Sequence, residues 1–194
     1  KYVYDMEEVI DELEKEITFY LAKISQNSMT PSQSEKHGGL LHAVNDFERV
    51  GDHAENIADL AKKRIEENLP FSEQAINELE NMHSYVLETL NLCIPTLERE
   101  DRKLAEKIVE REHQIDLMEK KLRKNHIERL NAGLCYPASG VVFLDVLSNL
   151  ERVGDHSHNI AQVILGEIYP IVELSATKEE KEKEEEKQNN KQNN

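Results

Sequence analysis

A twelve-residue segment occurs twice in this chain, and this repeat constrains the fold more than any other feature of the sequence. FERVGDHAENIA at 47–58 recurs as LERVGDHSHNIA at 150–161, with nine of twelve positions identical. A repeat of this kind defines the structural unit before any local pattern is considered. An acid, a second acid and an amide recur at four-residue intervals in both copies. These residues are Glu48, Asp52 and Asn56 in the first copy and Glu151, Asp155 and Asn159 in the second.

The repeat extends upstream to a second pair of acids in each half. These pairs are Glu7 with Asp11 and Glu112 with Asp116. Asp11 precedes Glu48 by 37 residues, and Asp116 precedes Glu151 by 35. The two additional residues fit within 25–34, a segment rich in Ser, Gln and Asn that is predicted to be a loop. Each half therefore carries two acidic pairs at nearly the same separation.

The charge and composition favour a helical protein that attracts cations. The formal net charge is −15, and 32% of the residues are charged. Such a charge repels the phosphates of nucleic acid, so nucleic acid is excluded as a partner. Only 7 glycines and 5 prolines occur in 194 residues, which favours long helices over many short strands.

The ends of the chain and its cysteines carry further expectations. Residues 171–194 are predicted to be a disordered charged tail, because from Lys178 onward they alternate Glu and Lys and then end in Gln and Asn. The chain begins with Lys1 and a helical pattern, so it is interpreted as a fragment or a processed chain. It contains no apolar run long enough to span a membrane.

Cys93 and Cys135 form no metal or disulfide motif and are interpreted as core or loop residues in a reducing compartment.

Apolar residues recur every three or four positions in five segments, which predicts five long helices and an all-α fold. Ser72 and Asp101 are suitable N-caps for the third and fourth helices, and Pro95 is expected to kink the third. Helices three to five then form a three-helix bundle. Helices one and two match four and five, so the first half lacks the counterpart of helix three. The predicted units are an incomplete repeat at 1–69, a complete repeat at 70–170, and the tail.

The helical phase of the acids predicts two convergent carboxylate sites. Residues four positions apart differ by about 40° around a helix, and the acids flank the apolar stripe on all four helices. Four carboxylates are therefore expected to meet in each half, where they repel one another unless something neutralises them. A solvated helical face and ion pairs with Arg49 or Arg152 are the alternatives to a bound cation. Both arginines point about 100° away from the acids on an ideal helix.

Bound metal ions are the favoured explanation for the duplicated acids. Oxygen-rich sites suit magnesium, manganese, calcium or iron better than zinc. The asparagines are expected to complete the coordination or to hydrogen-bond a ligand carboxylate. The predicted metal ligands are Glu7, Asp11, Glu48, Asp52 and Asn56 in the first half and Glu112, Asp116, Glu151, Asp155 and Asn159 in the second.

Glycines and histidines also recur within the repeat. Gly51 and Gly154 each cost a helix interior about 1 kcal/mol relative to alanine. Both fall on the apolar side, so they are predicted to permit a close approach of neighbouring helices. His53 and His156 point away from the acids on an ideal helix and are predicted to face solvent.

These motifs resemble those of the PhoU family. The pattern Glu48-Arg49-x-Gly51-Asp52-x-x-x-Asn56 and its copy at 151–159 each accompany an upstream acidic pair, and the likeness covers about residues 1–168. The stretches 125–133 and 143–152 are similar, more specifically, to the C-terminal cytoplasmic PhoU-like domain of bacterial sodium/phosphate cotransporters. The resemblance implies tandem three-helix bundles that bind multinuclear metal clusters, here with the first helix of repeat one missing.

The resemblance also implies a function. It indicates a metal-binding regulatory or interaction domain associated with phosphate transport, not an enzyme, at the cytoplasmic face of the cell membrane. The implied cofactors are divalent or ferric ions, with iron, manganese and magnesium as candidates. The implied partners are the membrane transport domain of the same polypeptide or a phosphate transporter, and a second copy in a homodimer. A free-standing PhoU-type regulator of phosphate uptake is the alternative.

A ferritin-like carboxylate-bridged di-iron oxidase is the enzymatic alternative. Such bundles use ExxH motifs, and this chain offers Glu80-x-x-His83 and Glu110-x-x-His113. Glu110 and His113 lie opposite the apolar stripe of their helix, so that motif is expected to face water. The pattern favours a binding domain over an oxidase, and a metal-free helical scaffold is the remaining interpretation.

Overall fold

The structure, a computed structural model, describes residues 1–166 as helices joined by turns, with no strand in that range. The predicted all-α fold is confirmed, and the predicted tail at 171–194 lies outside the described residues. The helices are α1 (Tyr2–Ile24), α2 (Pro31–Glu66), α3 (Glu73–Leu90), α4 (Cys93–Arg99), α5 (Arg102–Asn131) and α6 (Pro137–Leu165).

The helix starts follow side-chain capping. The Ser72 hydroxyl accepts a hydrogen bond from the Ala75 amide, and the Asp101 carboxylate caps α5, which confirms both predicted N-caps. The prediction of a loop over 25–34 is wrong at its end. Thr30 and Gln33 form a reciprocal capping box, so α2 begins at Pro31.

The third predicted helix is broken rather than kinked. Its first part ends at Leu90, and α4 starts at Cys93 with Pro95 in its first turn. A proline ring clashes with the carbonyl four residues earlier, which here belongs to Asn91, the C-cap residue of α3. Five predicted helices therefore become six helical segments within residues 1–166.

Helix α6 lies at the centre of the molecule. It packs against α2, α3, α4 and α5, whereas α1 packs on α2. Met82 and Val86 of α3 are buried against Ile115 of α5 and Phe143 and Leu147 of α6. The second half is thus a three-helix bundle, and the first half is a helix pair joined to it through the contact between α2 and α6.

The repeated glycines permit close helix contacts, as the sequence predicts. A Cβ atom on Gly154 would lie 3.1 Å from Ile115 Cδ1, and one on Gly51 would lie 3.2 Å from Ile10 Cδ1. The two contacts are equivalent under the repeat. Ile115 is fully buried, whereas Ile10 is partly exposed, so only Ile10 has room to shift.

This difference predicts opposite outcomes for the same substitution. Gly154→Ala is expected to destabilise the protein by about 1–3 kcal/mol because a packed core resists added volume. Gly51→Ala is expected to be neutral or to stabilise by up to about 1 kcal/mol, because helix propensity improves while Ile10 moves aside. Urea unfolding of both variants measures the difference, and equal midpoints would contradict it.

An apolar groove of about 540 Å³ runs along α1 and α2. Six of its wall residues are Ile10, Leu13, Ile17, Val44, Phe47 and Val50. Their repeat counterparts pack beside α3 in the second half, and these are Ile115, Met118, Leu122, Leu147, Leu150 and Val153. The groove therefore lies where a helix equivalent to α3 would pack. Leu13 is 54% exposed, as expected for a first half that lacks the counterpart of helix three.

Candidate metal centre

Three predicted ligands of the second half come together between α5 and α6. Glu112, Asp116 and Asp155 each offer a carboxylate oxygen within 4.8 Å of the other two. Two features of the sequence position them. Glu112 and Asp116 lie one turn apart on α5, and each aspartate directly follows a residue of the Gly154–Ile115 contact, which brings the two helices close at this level.

Glu151 lies beside this trio. Burial raises the pKa of its carboxyl, and the charges of Asp155, Asp116 and Glu119 raise it further. Burial likewise raises the pKa of Asp155, with further contributions from Glu112 and Asp116. The smaller, like-charge contributions to both shifts reflect the crowding of these carboxylates, which favours a cation at this place.

The first half repeats the arrangement less tightly. Desolvation and then Asp11 raise the pKa of Glu7, with smaller contributions from Glu55 and Asp52. Burial and then Asp52 raise the pKa of Glu48. Within residues 1–166, only the second half brings three ligand groups as close together as 4.8 Å.

Glu48 carries a further indication of a missing partner. Its Oε2 atom is buried and accepts no hydrogen bond. The Arg49 Nε atom lies 3.5 Å away, but it does not satisfy that oxygen. Since buried carboxylate oxygens normally have a partner, this orphaned atom and the crowded acids fit an oxygen-ligated metal ion.

Arginine does reach the first site, contrary to the sequence analysis. The Arg49 Nη1 atom donates to Asp52 Oδ2 at 3.0 Å. The helical angle between the residues is large, as predicted, but the long side chain bridges it. Arg49 is about half exposed, so this pair contributes little stability.

A lysine accompanies each site at an equivalent position. Lys15 donates to Asp11 at 3.4 Å, and Lys120 donates to Asp116 at 3.2 Å. Both lysines are largely exposed and lie one turn after the acid. Exposed pairs of this kind contribute little free energy, so they oppose metal binding only weakly.

The prediction that His53 and His156 face solvent is wrong. Their rings stack at the contact between α2 and α6, with centroids 5.4 Å apart. The nitrogen Nδ1 of His53 lies 2.9 Å from Asn149 Oδ1, and that of His156 lies 2.8 Å from Asp46 Oδ1. The helical wheel correctly directs these histidines away from the acids, but a second helix covers them.

The two predicted asparagine ligands occupy different surroundings. The Asn159 amide nitrogen donates to Asp46 Oδ1 at 3.1 Å, which directs it toward the contact between α2 and α6. Asn56 is exposed. The structure groups neither with the close carboxylate trio, so coordination through their carbonyl oxygens stays a prediction.

Sequence reasoning missed other groups at the two sites. His158 Nδ1 lies 3.1 Å from Glu112 Oε2, and its repeat counterpart is Glu55, whose charge acts on Glu7. The negative charge of Glu14 raises the pKa of Glu48, and that of Glu119 raises the pKa of Glu151. The repeat alignment contains a signal for the last pair, since Glu14 and Glu119 each follow a site aspartate by three residues.

The ExxH motifs lie outside both sites. All four of their residues are exposed, namely Glu80, His83, Glu110 and His113. A di-iron oxidase needs such groups to project into the bundle interior, so these motifs do not build an oxidase centre.

A family model described as the PhoU domain matches residues 1–61 and 79–164. The match covers well over half of the chain and includes both acidic sites. The chain belongs to the PhoU family, as the repeated motifs indicate.

Curated proteins that are similar to this chain match it over different shares of their own length. The Thermotoga maritima "Phosphate-specific transport system accessory protein PhoU homolog 1" is 30% identical over 164 residues, which cover 84% of this chain and 70% of that protein. "Uncharacterized protein MJ1641" of Methanocaldococcus jannaschii is 33% identical over 50% of this chain and 36% of its own length. "Putative inorganic phosphate export protein YjbB" of Salmonella typhimurium is 20% identical over 77% of this chain but only 28% of that protein.

Two solved structures share the fold. PhoU from Pseudomonas aeruginosa superposes with a TM-score of 0.79 at 22% identity, over 84% of this chain and 78% of that one. The phosphate transport system regulatory protein PhoU from Streptococcus pneumoniae gives 0.75 at 21% identity, over 84% and 76%. Within residues 1–166, no helix is both long and apolar enough to cross a membrane.

Proposed function

We propose that this chain is a PhoU-type accessory domain that regulates phosphate transport through contact with a transporter and holds metal ions at its two carboxylate sites. The convergence of Glu112, Asp116 and Asp155 on a PhoU fold carries the proposal. The similarity to an accessory protein of a phosphate-specific transport system supports the biological context. Action by contact fits a site in which acids predominate, accompanied by His158 and by exposed Lys and Arg side chains.

The placement of the side chains supports a proposed set of metal ligands. Glu112, Asp116 and Asp155 hold an ion in the second half, with Glu151 beside them. The corresponding acids of α1 and α2 form the first site. A divalent or ferric ion, such as iron, manganese or magnesium, supplies the positive charge that the carboxylates lack and a position for phosphate oxygens.

A free-standing regulator is favoured over a domain of a sodium/phosphate cotransporter. The accessory protein from Thermotoga maritima aligns with this chain over most of both lengths. The putative phosphate export protein supports a transporter-linked domain, but the alignment covers a small part of it at lower identity. Both alternatives bring the domain to the cytoplasmic face of the membrane beside a phosphate transporter.

Phosphate uptake in the organism that encodes this chain tests the regulatory function. Deletion of the coding sequence for residues 1–194 is expected to abolish the response of radiolabelled phosphate uptake to external phosphate. Re-expression of the chain restores it, whereas Asp52→Asn combined with Asp155→Asn does not. Asp145→Asn, an exposed acid on α6 outside the sites, is the matched control and restores it. Unchanged uptake after the deletion would refute the proposal.

The apolar groove is the proposed contact surface between two copies of the chain. In the second half, the repeat counterparts of its wall residues pack against α3. The groove therefore suits an apolar partner surface. A contiguous apolar surface of this kind commonly marks an interaction site.

Self-association of the isolated chain is the expected result. Leu13→Lys places a charge in the groove and is expected to shift the protein to monomer, which sedimentation velocity measures over a concentration series. Leu117→Lys is the matched control, because Leu117 is similarly exposed on α5 but lies outside the groove. Weak contacts have dissociation constants of about 1 mM, and a specific dimer should form well below that concentration. A wild-type chain that stays monomeric up to about 100 μM would therefore contradict this proposal.

A further inference from the structure

A second cavity, of about 260 Å³, lies at one end of the three-helix bundle. Its walls come from the start of α3, the end of α5, the turn before α6 and the first turn of α6. His126, on this cavity's wall, follows Asp116 by ten residues, or about 15 Å along α5 at 1.5 Å per residue. The cavity is thus separate from the carboxylate sites.

A cysteine and a histidine meet on the wall of this cavity. Cys135 Sγ lies 3.6 Å from His126 Nδ1 and 3.7 Å from the Tyr136 carbonyl oxygen, both within hydrogen-bond range for sulfur. Burial and then the charge of Arg129 lower the pKa of His126, which favours the neutral ring. In the tautomer that carries its proton on Nε2, the Nδ1 nitrogen accepts the thiol proton. Cys135 is a free, partly buried thiol, which leaves its sulfur open to a small reagent.

The imidazole is held firmly in place. Phe143 packs against its ring with centroids 5.3 Å apart. A Cβ atom at Gly140 would lie 2.5 Å from Nε2, so the ring occupies space that only glycine leaves free. A fixed base beside a thiol is the arrangement that activates a cysteine.

The Ser139 hydroxyl is an independent indication of a ligand. Ser139 lies on the same cavity wall, is only 2% exposed, and its oxygen has no hydrogen-bond partner. An unsatisfied buried hydroxyl costs free energy, and an oxygen-bearing group in the cavity would satisfy it. The cavity therefore combines a paired thiol with an unused hydrogen-bonding group.

We infer that Cys135 is a modification site at which a small hydroperoxide oxidises the thiol to a sulfenic acid. His126 accepts the thiol proton while the sulfur attacks the peroxide. An S–O bond forms, the O–O bond breaks, and the proton passes to the leaving oxygen, which departs as water or an alcohol. The sulfur loses two electrons and the peroxide gains them. Ser139 hydrogen-bonds the new sulfenic oxygen.

The other cysteine is an internal control. Cys93 is fully buried, and its thiol donates to the carbonyl oxygens of Thr89 and Ser157, each 3.9 Å from Sγ. Burial raises its pKa to about 11. A thiol in this state is inert because the thiolate is the reactive form.

Sulfenic-acid trapping tests the inference. The reduced chain is treated with hydrogen peroxide and a 1,3-diketone probe, and peptide mass spectrometry follows labelling at both cysteines. Cys135 is expected to react at least about tenfold faster than Cys93 and than Cys135 in the urea-unfolded chain, because a positioned base accelerates attack. Ser139→Ala is expected to reduce the trapped yield about fivefold through loss of one hydrogen bond.

Matched variants separate this mechanism from simple exposure. Ser157→Ala removes another buried hydroxyl, one that lies outside the cavity and donates to the Val153 carbonyl, and is expected to leave Cys135 labelling unchanged. His126→Asn is expected to slow labelling to the unfolded rate, with circular dichroism to verify the fold. Native Cys135 that reacts no faster than the unfolded thiol would overturn the inference, whether or not the histidine variant folds.

Discussion

The melting temperature of the metal-free protein is expected to rise by roughly 8–16 °C when manganese or ferric ions are added at about a thousand times their dissociation constant. An ion that binds only the folded state at this excess stabilises it by about 4 kcal/mol. For a domain of this size, each kcal/mol corresponds to roughly 2–4 °C. Calorimetry before and after chelation measures the shift, and elemental analysis identifies the ion. A melting temperature insensitive to all of these ions would refute metal binding.

Asp155→Asn is expected to stabilise the metal-free protein and to destabilise the metal-bound protein. The folded-state pKa of Asp155 is raised above its unfolded value, so the metal-free fold loses stability as pH rises through the folded pKa. Neutralising this carboxylate therefore stabilises the metal-free protein at pH 7 and weakens metal binding in the second half. Asp145→Asn, outside the site, should do neither. Equal effects of the two variants with metal present would contradict the assignment.

Loss of the Arg129 charge is expected to destabilise the protein by about 3–5 kcal/mol, because it leaves an unpaired buried carboxylate. Arg129 and Glu78 are each only 11% exposed. Arg129 Nη1 donates to Glu78 Oε1 at 3.0 Å, and Asn125 donates to the same oxygen at 2.9 Å. The atoms Nη2 and Oε2 lie 2.8 Å apart without hydrogen-bond alignment. Arg129→Met should lower the melting temperature by roughly 6–20 °C.

The control and the pH dependence of this pair are equally specific. Lys124→Met, in an exposed pair with Glu128, should change stability by less than about 1 kcal/mol. Burial acts to raise the pKa of Glu78, but hydrogen bonds from Arg129 and Asn125 outweigh it, and the net shift is downward. The contribution of the pair is therefore present above the unfolded pKa and is lost as pH falls through the folded value. An Arg129→Met variant as stable as wild type would exclude this role.

The repeat and the helical period predict much of this fold because both depend on local spacing. Ser72 and Asp101 begin helices where their side chains cap them. The repeated glycines contact isoleucines that immediately precede site acids, so the spacing that predicts helix contacts also brings Asp116 and Asp155 together.

Sequence spacing does not predict features that depend on the length of a side chain or on a helix that is distant in the sequence. A helical wheel gives the direction of His53, but not the presence of α6 opposite it. It gives the angle between Arg49 and Asp52, but it does not show that the long arginine side chain can still reach the Asp52 carboxylate. The Cys135–His126 contact joins α5 to the turn before α6, and no spacing within the repeat predicts it.

The histidine contact between α2 and α6 has the symmetry of a homodimer interface. Asp46 and Asn149 occupy equivalent positions in the repeat, as do His53 and His156, and each histidine bonds the residue contributed by the other half. In an isologous interface, one substitution alters two contacts. Within one chain each contact is altered separately, so evolution has been free to place an acid on one side and an amide on the other. The two halves can thus diverge in charge while they keep a common geometry.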